Sequence, residues 1–313
     1  LYFARMIMAN TKAHVLIVGF GDVGERVARL LQTKQSTTSL TVLIRDPTRN
    51  NAAYACGASP VFGDLSDLQS LSAIPTALTS PTSIFHFAPP PSFGLEDTHT
   101  RNLLAILSNT GLSNLPKRLI YISTTGVYGD CDGAWIDETQ HLNPQTDRAK
   151  RRVDAESVLR GWAEKHQVLL TILRVPGIYA ADRLPIARLK AGTPTIIAEQ
   201  DVYTNHIHAD DLAAACVAAM ALDASHTLNI VDDSELKMGD YFDLIADHFH
   251  LPRPARISRR EAEAKISPAM LSFMRESRRI QNARMKDILA MRLCYSTVAD
   301  FLTAIKQHST GVD

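Results

Sequence analysis

The sequence predicts an α/β protein in which a doubly wound parallel sheet is joined to a smaller, mostly helical C-terminal lobe. Two observations carry the first part and one carries the second. Short apolar runs alternate with helix-like segments across the first half, and the earliest run ends in a glycine-rich turn. After Arg174 that rhythm stops: Pro176, Pro185 and Pro194 break the chain, and from Met238 the pattern is mostly helical. At 313 residues and 45% hydrophobic content, the chain can bury one large core together with a lesser one.

Strands are predicted at His14–Val18, Leu40–Ile44, Pro60–Phe62, Ser83–Phe87, Arg118–Ser123 and Leu169–Leu173. Each is nearly continuous in apolar residues rather than alternating, as expected of strands covered on both faces. Helices are predicted at Val23–Gln32, Asp97–Thr110 and Arg148–His166; the last sets Val153, Val158, Leu159 and Trp162 at roughly helical spacing. Parallel strands joined through helices need right-handed crossovers, which cover both faces of the sheet. A helix at Asp210–Leu222 and a strand at Thr227–Val231 return to the sheet. The expected division is 12–175, joined by 205–231, for the sheet domain, and 176–204 with 232–313 for the smaller lobe.

Lys and Arg total 33, and so do Asp and Glu. That balance offers no basic excess with which to hold a nucleic-acid backbone or an anionic membrane surface, so neither is expected as a partner. No apolar run approaches the ~20 residues of a membrane span. Leu1–Asn10 has a single Arg5 and no apolar stretch with a cleavage site, so it does not read as a secretory signal. Native sequence is expected to begin at Met6 or Met8. Cys56, Cys131, Cys216 and Cys294 lie far apart, without metal-type spacing, and read as reduced thiols of a cytoplasmic protein.

The strongest motif is the apolar strand Val15–Val18 running into Gly19-Phe20-Gly21-Asp22-Val23-Gly24. Gly-x-Gly-x-x-Gly between a strand and a helix is the fingerprint of a Rossmann-type dinucleotide site. Gly19 permits the tight turn, Gly21 lets the backbone approach a pyrophosphate, and Gly24 lets helix and strand pack closely. The helix start adds unpaired N–H groups and a partial positive charge. At the end of the second strand, where NAD enzymes carry an acid for the ribose hydroxyls, stands Arg45, whose planar fork suits the 2′-phosphate of NADP. Asp46 follows and leaves NAD open.

Five later motifs keep a fixed order: Gly63-Asp64-Leu65-Ser66-Asp67; Ile84–Ala88 with Pro89 behind it; Ile120–Asp130; Leu173–Tyr179; and Asn205–Leu212. Over residues 13–231 the chain resembles the extended short-chain dehydrogenase/reductase superfamily, specifically the NAD-dependent epimerase/dehydratase family. The shorter glycine spacing resembles an atypical, YeeZ-like branch. The resemblance implies that Asp64 and Leu65 contact the adenine and that Phe87, Ala88 and Pro89 line the cofactor. It implies further that Ser123 ends the strand beside the cofactor, and that Pro176 and Ile178 flank the nicotinamide. Thr124 falls where the family hydrogen-bonds the substrate oxygen. Residues beyond 231 correspond more loosely to the substrate lobe.

The family's Tyr-x-x-x-Lys pair is not found. Counting from Pro144 and Glu156 puts Arg148 at the tyrosine position and Arg152 at the lysine position; the register that keeps Lys150 puts Thr146 where the tyrosine belongs. Arginine stays protonated near neutrality and cannot serve as a general acid or base. Arg148 and Arg152, four residues apart on one helical face, are read as contacts for a substrate carboxylate or phosphate, as salt-bridge partners of Glu156 and Asp154, or as ordinary surface residues. Tyr128 is the nearest replacement acid, with packing as its alternative. His206, His208, Asp210 and Asp211 superficially suggest a metal site, but the resemblance makes them structural, and no metal is expected.

Taken together, these residues predict an NADP-binding oxidoreductase or epimerase-like enzyme, with NAD left open, acting on a small, sugar-derived or anionic substrate. The alternative is a catalytically inactive NADP-binding regulator or redox sensor. Either a monomer, or a homodimer through helices near 98–111 and 149–166, fits the sequence.

Overall fold

The structure, a computed structural model, describes residues 13–34, 38–78, 82–109, 111 and 115–310. The expected starts at Met6 or Met8, residue 12 of the sheet domain, Thr110 at the end of a predicted helix and residues 311–313 lie outside these. Two compact units are present. The first holds the chain up to Ser123, Arg151–Leu173 and Ala213–Thr227; the second holds Thr124–Lys150, Arg174–Leu212 and the chain from Leu228.

The first unit is built on a sheet whose leading strands are β1 (His14–Val18), β2 (Ser39–Ile44), β3 (Ser59–Phe62), β4 (Thr82–His86) and β5 (Arg118–Thr124). With strands Leu169–Val175 and His226–Asn229 the sheet has seven members, ordered 226–229, 169–175, β5, β4, β1, β2, β3. The pairs β1/β2, β1/β4, β2/β3 and β4/β5 all run parallel. This is the α/β doubly wound arrangement expected from the sequence. The chain moves outward from β1 to β3 and then crosses back to β4, so the order reverses between β1 and β4. In such sheets ligands bind outside the carboxyl ends of the strands at that reversal.

Burial explains the strand composition. All five residues of β1 are buried, and β5 is buried from Leu119 to Ser123, so continuous apolar runs are required there. β3 lies at the sheet edge and leaves Ser59 and Phe62 exposed. At the amino ends, buried His14 bonds Thr41 Oγ1 at 3.0 Å and Thr82 Oγ1 at 3.3 Å, tying β1 to both neighbours. One core layer packs Leu16, Ile84, Leu103, Leu107 and Leu119 with Leu159 of helix Asp147–His166. Each such side chain contributes roughly 1.5–3 kcal/mol of burial. That helix is charged except for its inner stripe, and Trp162 closes it inward by donating Nε1–H to Ser108 Oγ at 2.9 Å.

The second unit is mainly helical, with helices Met238–His248, Arg259–Lys265, Ala283–Ile288 and Val298–Thr310. It also contains four two-stranded ladders that the sequence does not announce: 177–179 with 206–208, 195–196 with 256–257, 203–204 with 236–237, and 135–136 with 279–280. Pieces of two or three residues carry no periodicity, so only tertiary pairing reveals them. Segment 124–150 also groups with this unit, whereas the sequence reading sets it in 12–175. Among the described residues no helix is long and apolar enough to cross a membrane.

Candidate functional site

In the first unit the turn after β1 is shaped by backbone approach. Gly19 has φ +99°, and a Cβ there would lie 2.4 Å from the Ala88 amide nitrogen. Both Phe87 N–H and Ala88 N–H donate to the Val18 carbonyl, at 2.8 and 3.1 Å, which draws the ends of β1 and β4 together. A Cβ on Gly24 would come 2.8 Å from the Gly19 carbonyl. Gly21 differs: a Cβ there meets no protein atom within 4 Å. Packing within the chain therefore explains Gly19 and Gly24. Gly21 has no such packing reason: it leaves the backbone open where helix α1 (Asp22–Lys34) begins, as the close approach of a phosphate requires. The residues present thus fit a dinucleotide pyrophosphate. Phe20 is buried, Asp22 is exposed and pairs with Arg26 at 3.0 Å, and Val23 is half-buried.

At the end of β2, the Arg45 side chain is 77% exposed and 3.9 Å from Asp64. Asp46 caps the next turn, its Oδ1 accepting Thr48 N–H at 2.9 Å, which holds its carboxyl below the usual range. A second cation, not identified from the sequence, is Arg49. It donates to Glu25 at 3.0 Å and to the Phe20 carbonyl at 3.3 Å. Asp64 accepts from Ser66 N–H and Oγ, which lowers its pKa. Leu65 is buried, and its carbonyl accepts Asn102 Nδ2–H at 2.8 Å. The Pro89 carbonyl accepts from His99 Nδ1 at 2.9 Å.

At the end of β5, buried Ser123 donates to the Glu156 carboxylate at 2.6 Å, so its hydroxyl is held by the protein itself. Arg152 donates to the Tyr121 hydroxyl and to the Ile122 carbonyl, each at 2.8 Å. Burial pushes the Tyr121 phenol up to about 12. Nearby, Thr100 Oγ1 donates to Asp97 and accepts from His86 Nε2 at 2.8 Å, which leaves the proton of His86 on Nε2. Burial pushes this imidazole down to about 3.

The second unit contains a pocket of about 200 Å³. Thr124, Arg148, Pro176, Tyr203, Asn205, Phe273, Glu276 and Arg278 are among its lining residues. Thr124 Oγ1 accepts Gly126 N–H at 3.2 Å and caps the turn after β5. Arg148 stacks on the Phe273 ring, with Cζ 3.8 Å from the centroid, and donates to Ser272 Oγ at 3.2 Å. Glu276 is the residue the sequence reading missed. Its side chain is 8% exposed, and Oε2 pairs with Arg278 Nη1 at 2.9 Å, whereas Oε1 has no hydrogen-bond partner. The one available signal was an acid alone among the basic residues of 275–284, and its nearness to Arg148 is visible only after folding.

Other predicted residues are engaged elsewhere in this unit. Tyr128 is fully buried, donates to Asn229 Oδ1 at 2.7 Å and accepts from Arg174 at 2.9 Å; desolvation raises its pKa. Ile178 pairs with Ile207 in the ladder 177–179/206–208. His206 stacks on Tyr241 at 4.1 Å, and His208 packs edge-on against Tyr295 at 4.5 Å. Among the described residues no three His, Cys, Asp or Glu side chains gather as a metal set. Burial holds the Cys131 thiol above its ordinary value.

No curated protein sequence matches the chain. Solved structures do. A functionally unknown conserved protein from Silicibacter pomeroyi is 28% identical, with a TM-score of 0.77 over 95% of this chain and 99% of that one. UDP-glucose 4-epimerase from Thermotoga maritima, determined with UDP-glucose, is 16% identical, with a TM-score of 0.74 and the same coverage. UDP-glucuronic acid 4-epimerase from Bacillus cereus, in complex with UDP-glucuronic acid and NAD, is 18% identical, with a TM-score of 0.72 over 94% of this chain and 99% of that one. At those identities the two epimerases speak to the fold alone. The sequence of residues 15–230 matches the NAD dependent epimerase/dehydratase family. With its glycine turn at the β1/β4 reversal and a family match across most of its length, this chain belongs to the NAD-dependent epimerase/dehydratase family and binds a nicotinamide dinucleotide.

Proposed function

We propose that the protein is a cytoplasmic, NADP-dependent oxidoreductase or epimerase-like enzyme for a small, sugar-derived or anionic substrate, working without the Tyr-x-x-x-Lys pair. The observation that carries this reading is the turn at Gly19–Gly24: two glycines are required by the protein's own packing, while the third faces open space at a helix start. When bound, the nicotinamide supplies a hydride acceptor or donor. The chain's own residues hold the pyrophosphate at the turn and present Arg45, with Arg49 behind it, toward a 2′-phosphate. Asp46, already capping a turn, is a poor competitor for ribose hydroxyls. In the pocket of the second unit, Thr124 would orient a substrate oxygen beside the cation of Arg148.

The test is fluorescence titration with NADPH and NADH. NADPH should bind more tightly, and Arg45→Ala should cost about 1.5–3 kcal/mol with NADPH and almost nothing with NADH. Equal affinities that Arg45→Ala leaves unchanged would remove the NADP assignment; no binding of either dinucleotide would remove the reading itself.

One observation favours a second reading, an inactive NADP-binding regulator or redox sensor. The hydroxyl of Tyr128, the nearest replacement acid, is buried between Asn229 and Arg174. A sensor requires a partner whose affinity differs between the NADP⁺-bound and NADPH-bound protein. Equal partner affinity by calorimetry excludes it.

A further inference from the structure

The pocket of the second unit contains an acceptor and a cation of distinct character. The Glu276 side chain is more than nine-tenths buried, and only one of its carboxylate oxygens is occupied, by Arg278. The other, Oε1, lacks any hydrogen-bond partner although it belongs to a charged group removed from water. Leaving such an oxygen unmet costs free energy unless a ligand supplies a donor. Arg278 is anchored independently, donating to the Gly129 carbonyl at 2.6 Å, so Glu276 is not its sole support. Arg148, laid on Phe273, presents a fixed planar cation to the same pocket. Two arginines against one carboxylate leave the lining with a net positive charge.

Accordingly we infer that Glu276 Oε1 accepts a hydrogen bond from a ligand hydroxyl while Arg148 takes the ligand's carboxylate, so that the pocket selects small polyhydroxy acids over neutral sugars. The inference deepens the proposed enzymatic reading and rests on it. A carboxylate suits a planar guanidinium fork, and an ionised acceptor suits a hydroxyl donor. A neutral sugar meets only the second requirement and a simple carboxylate only the first; a polyhydroxy acid meets both. At about 200 Å³ the cavity is matched to one sugar-sized unit.

Calorimetry of the full chain with D-gluconate, D-glucuronate and D-glucose tests this directly. Both acids should bind at least about tenfold more tightly than glucose, the scale of one charge-assisted contact. Arg148→Met should abolish the preference, bringing the affinity of both acids down to that of glucose. Glu276→Gln should weaken all three ligands about tenfold, neutral glucose included. If Glu276 served only as a counter-ion, the same substitution would instead strengthen acid binding and leave glucose alone, and that result overturns the assignment. NADPH affinity of each variant reports that the fold persists. Wild-type protein that binds NADPH but shows no preference for either acid overturns this inference and leaves the dinucleotide reading intact; failure to bind NADPH or NADH overturns the reading beneath it.

Discussion

The two units build their sites from different materials. In the sheet unit the site is backbone: Gly19 is pressed against the Ala88 amide, two N–H groups converge on the Val18 carbonyl, and a helix begins three residues later. In the second unit it is side chain: an arginine on a phenylalanine ring, a half-paired carboxylate and a threonine that caps its own turn. A backbone site tolerates little change of shape, because atoms already in contact cannot yield. A side-chain site can be retuned by single substitutions. The comparison therefore separates positions where mutation breaks the fold from positions where it alters only recognition.

The sharpest test of that contrast lies within the turn itself. Gly19→Ala should destabilise the protein by about 4 kcal/mol, combining left-handed backbone strain with a clash against Ala88. Gly21→Ala, two residues away, should leave stability within about 0.5 kcal/mol while weakening dinucleotide binding at least about tenfold. Urea denaturation and NADPH titration of the two variants check this; equal stability of both would show that the approach of β1 to β4 is looser than described.

Acid acts on both units alike. Burial lowers His86 in the first unit and His206 in the second from 6.5 to about 3. A depressed folded pKa means that the unfolded chain binds the proton first. The associated stability is thus complete above pH 6.5 and is lost as pH falls toward 3. Between pH 6.5 and 4.5, before most carboxylates titrate, each imidazole should cost about 2–3 kcal/mol. His86→Gln, which retains a donor for Thr100, should remove about half of that acid limb in denaturation series at successive pH values. An unchanged limb would assign it to other groups.

The smallest effect belongs to the second unit and has the opposite sign. Asp232 is buried, its Oδ2 has no hydrogen-bond partner, and desolvation raises its pKa from 3.8 to about 7. A raised folded pKa gives stability that is present below pH 3.8 and lost as pH climbs through 7. Asp232→Asn, which keeps an acceptor for Ser234 N–H, should stabilise the protein by about 2 kcal/mol at pH 8 and by little at pH 4.5. A melting temperature at pH 8 that fails to rise would show that a counter-charge compensates the carboxylate.

Much of the first unit was legible in the sequence because its signals are local. The five leading strands were located to within a residue or so, since parallel strands covered on both faces must be apolar throughout. Gly19, Gly21 and Gly24 form one short motif whose geometry is dictated by their spacing. Less legible was the use of each polar side chain. The sequence points to Ser123, Tyr128 and Arg152 as site residues, but their hydroxyl or guanidinium groups are taken up by Glu156, Asn229, Tyr121 and the Ile122 carbonyl. Those partners lie 30 or more residues away in sequence.

By itself, then, the sequence determined the sheet, the dinucleotide turn and the family, because periodicity and glycine spacing act through neighbouring backbone. Tertiary structure alone decided that Arg148 lines the pocket of the second unit while Arg152 is held by Tyr121 and the Ile122 carbonyl, and that Glu276 arrives in that pocket with one oxygen unmet. Contacts across 124 residues, such as Arg148 to Ser272, are set by how packed elements meet, and no local pattern encodes them.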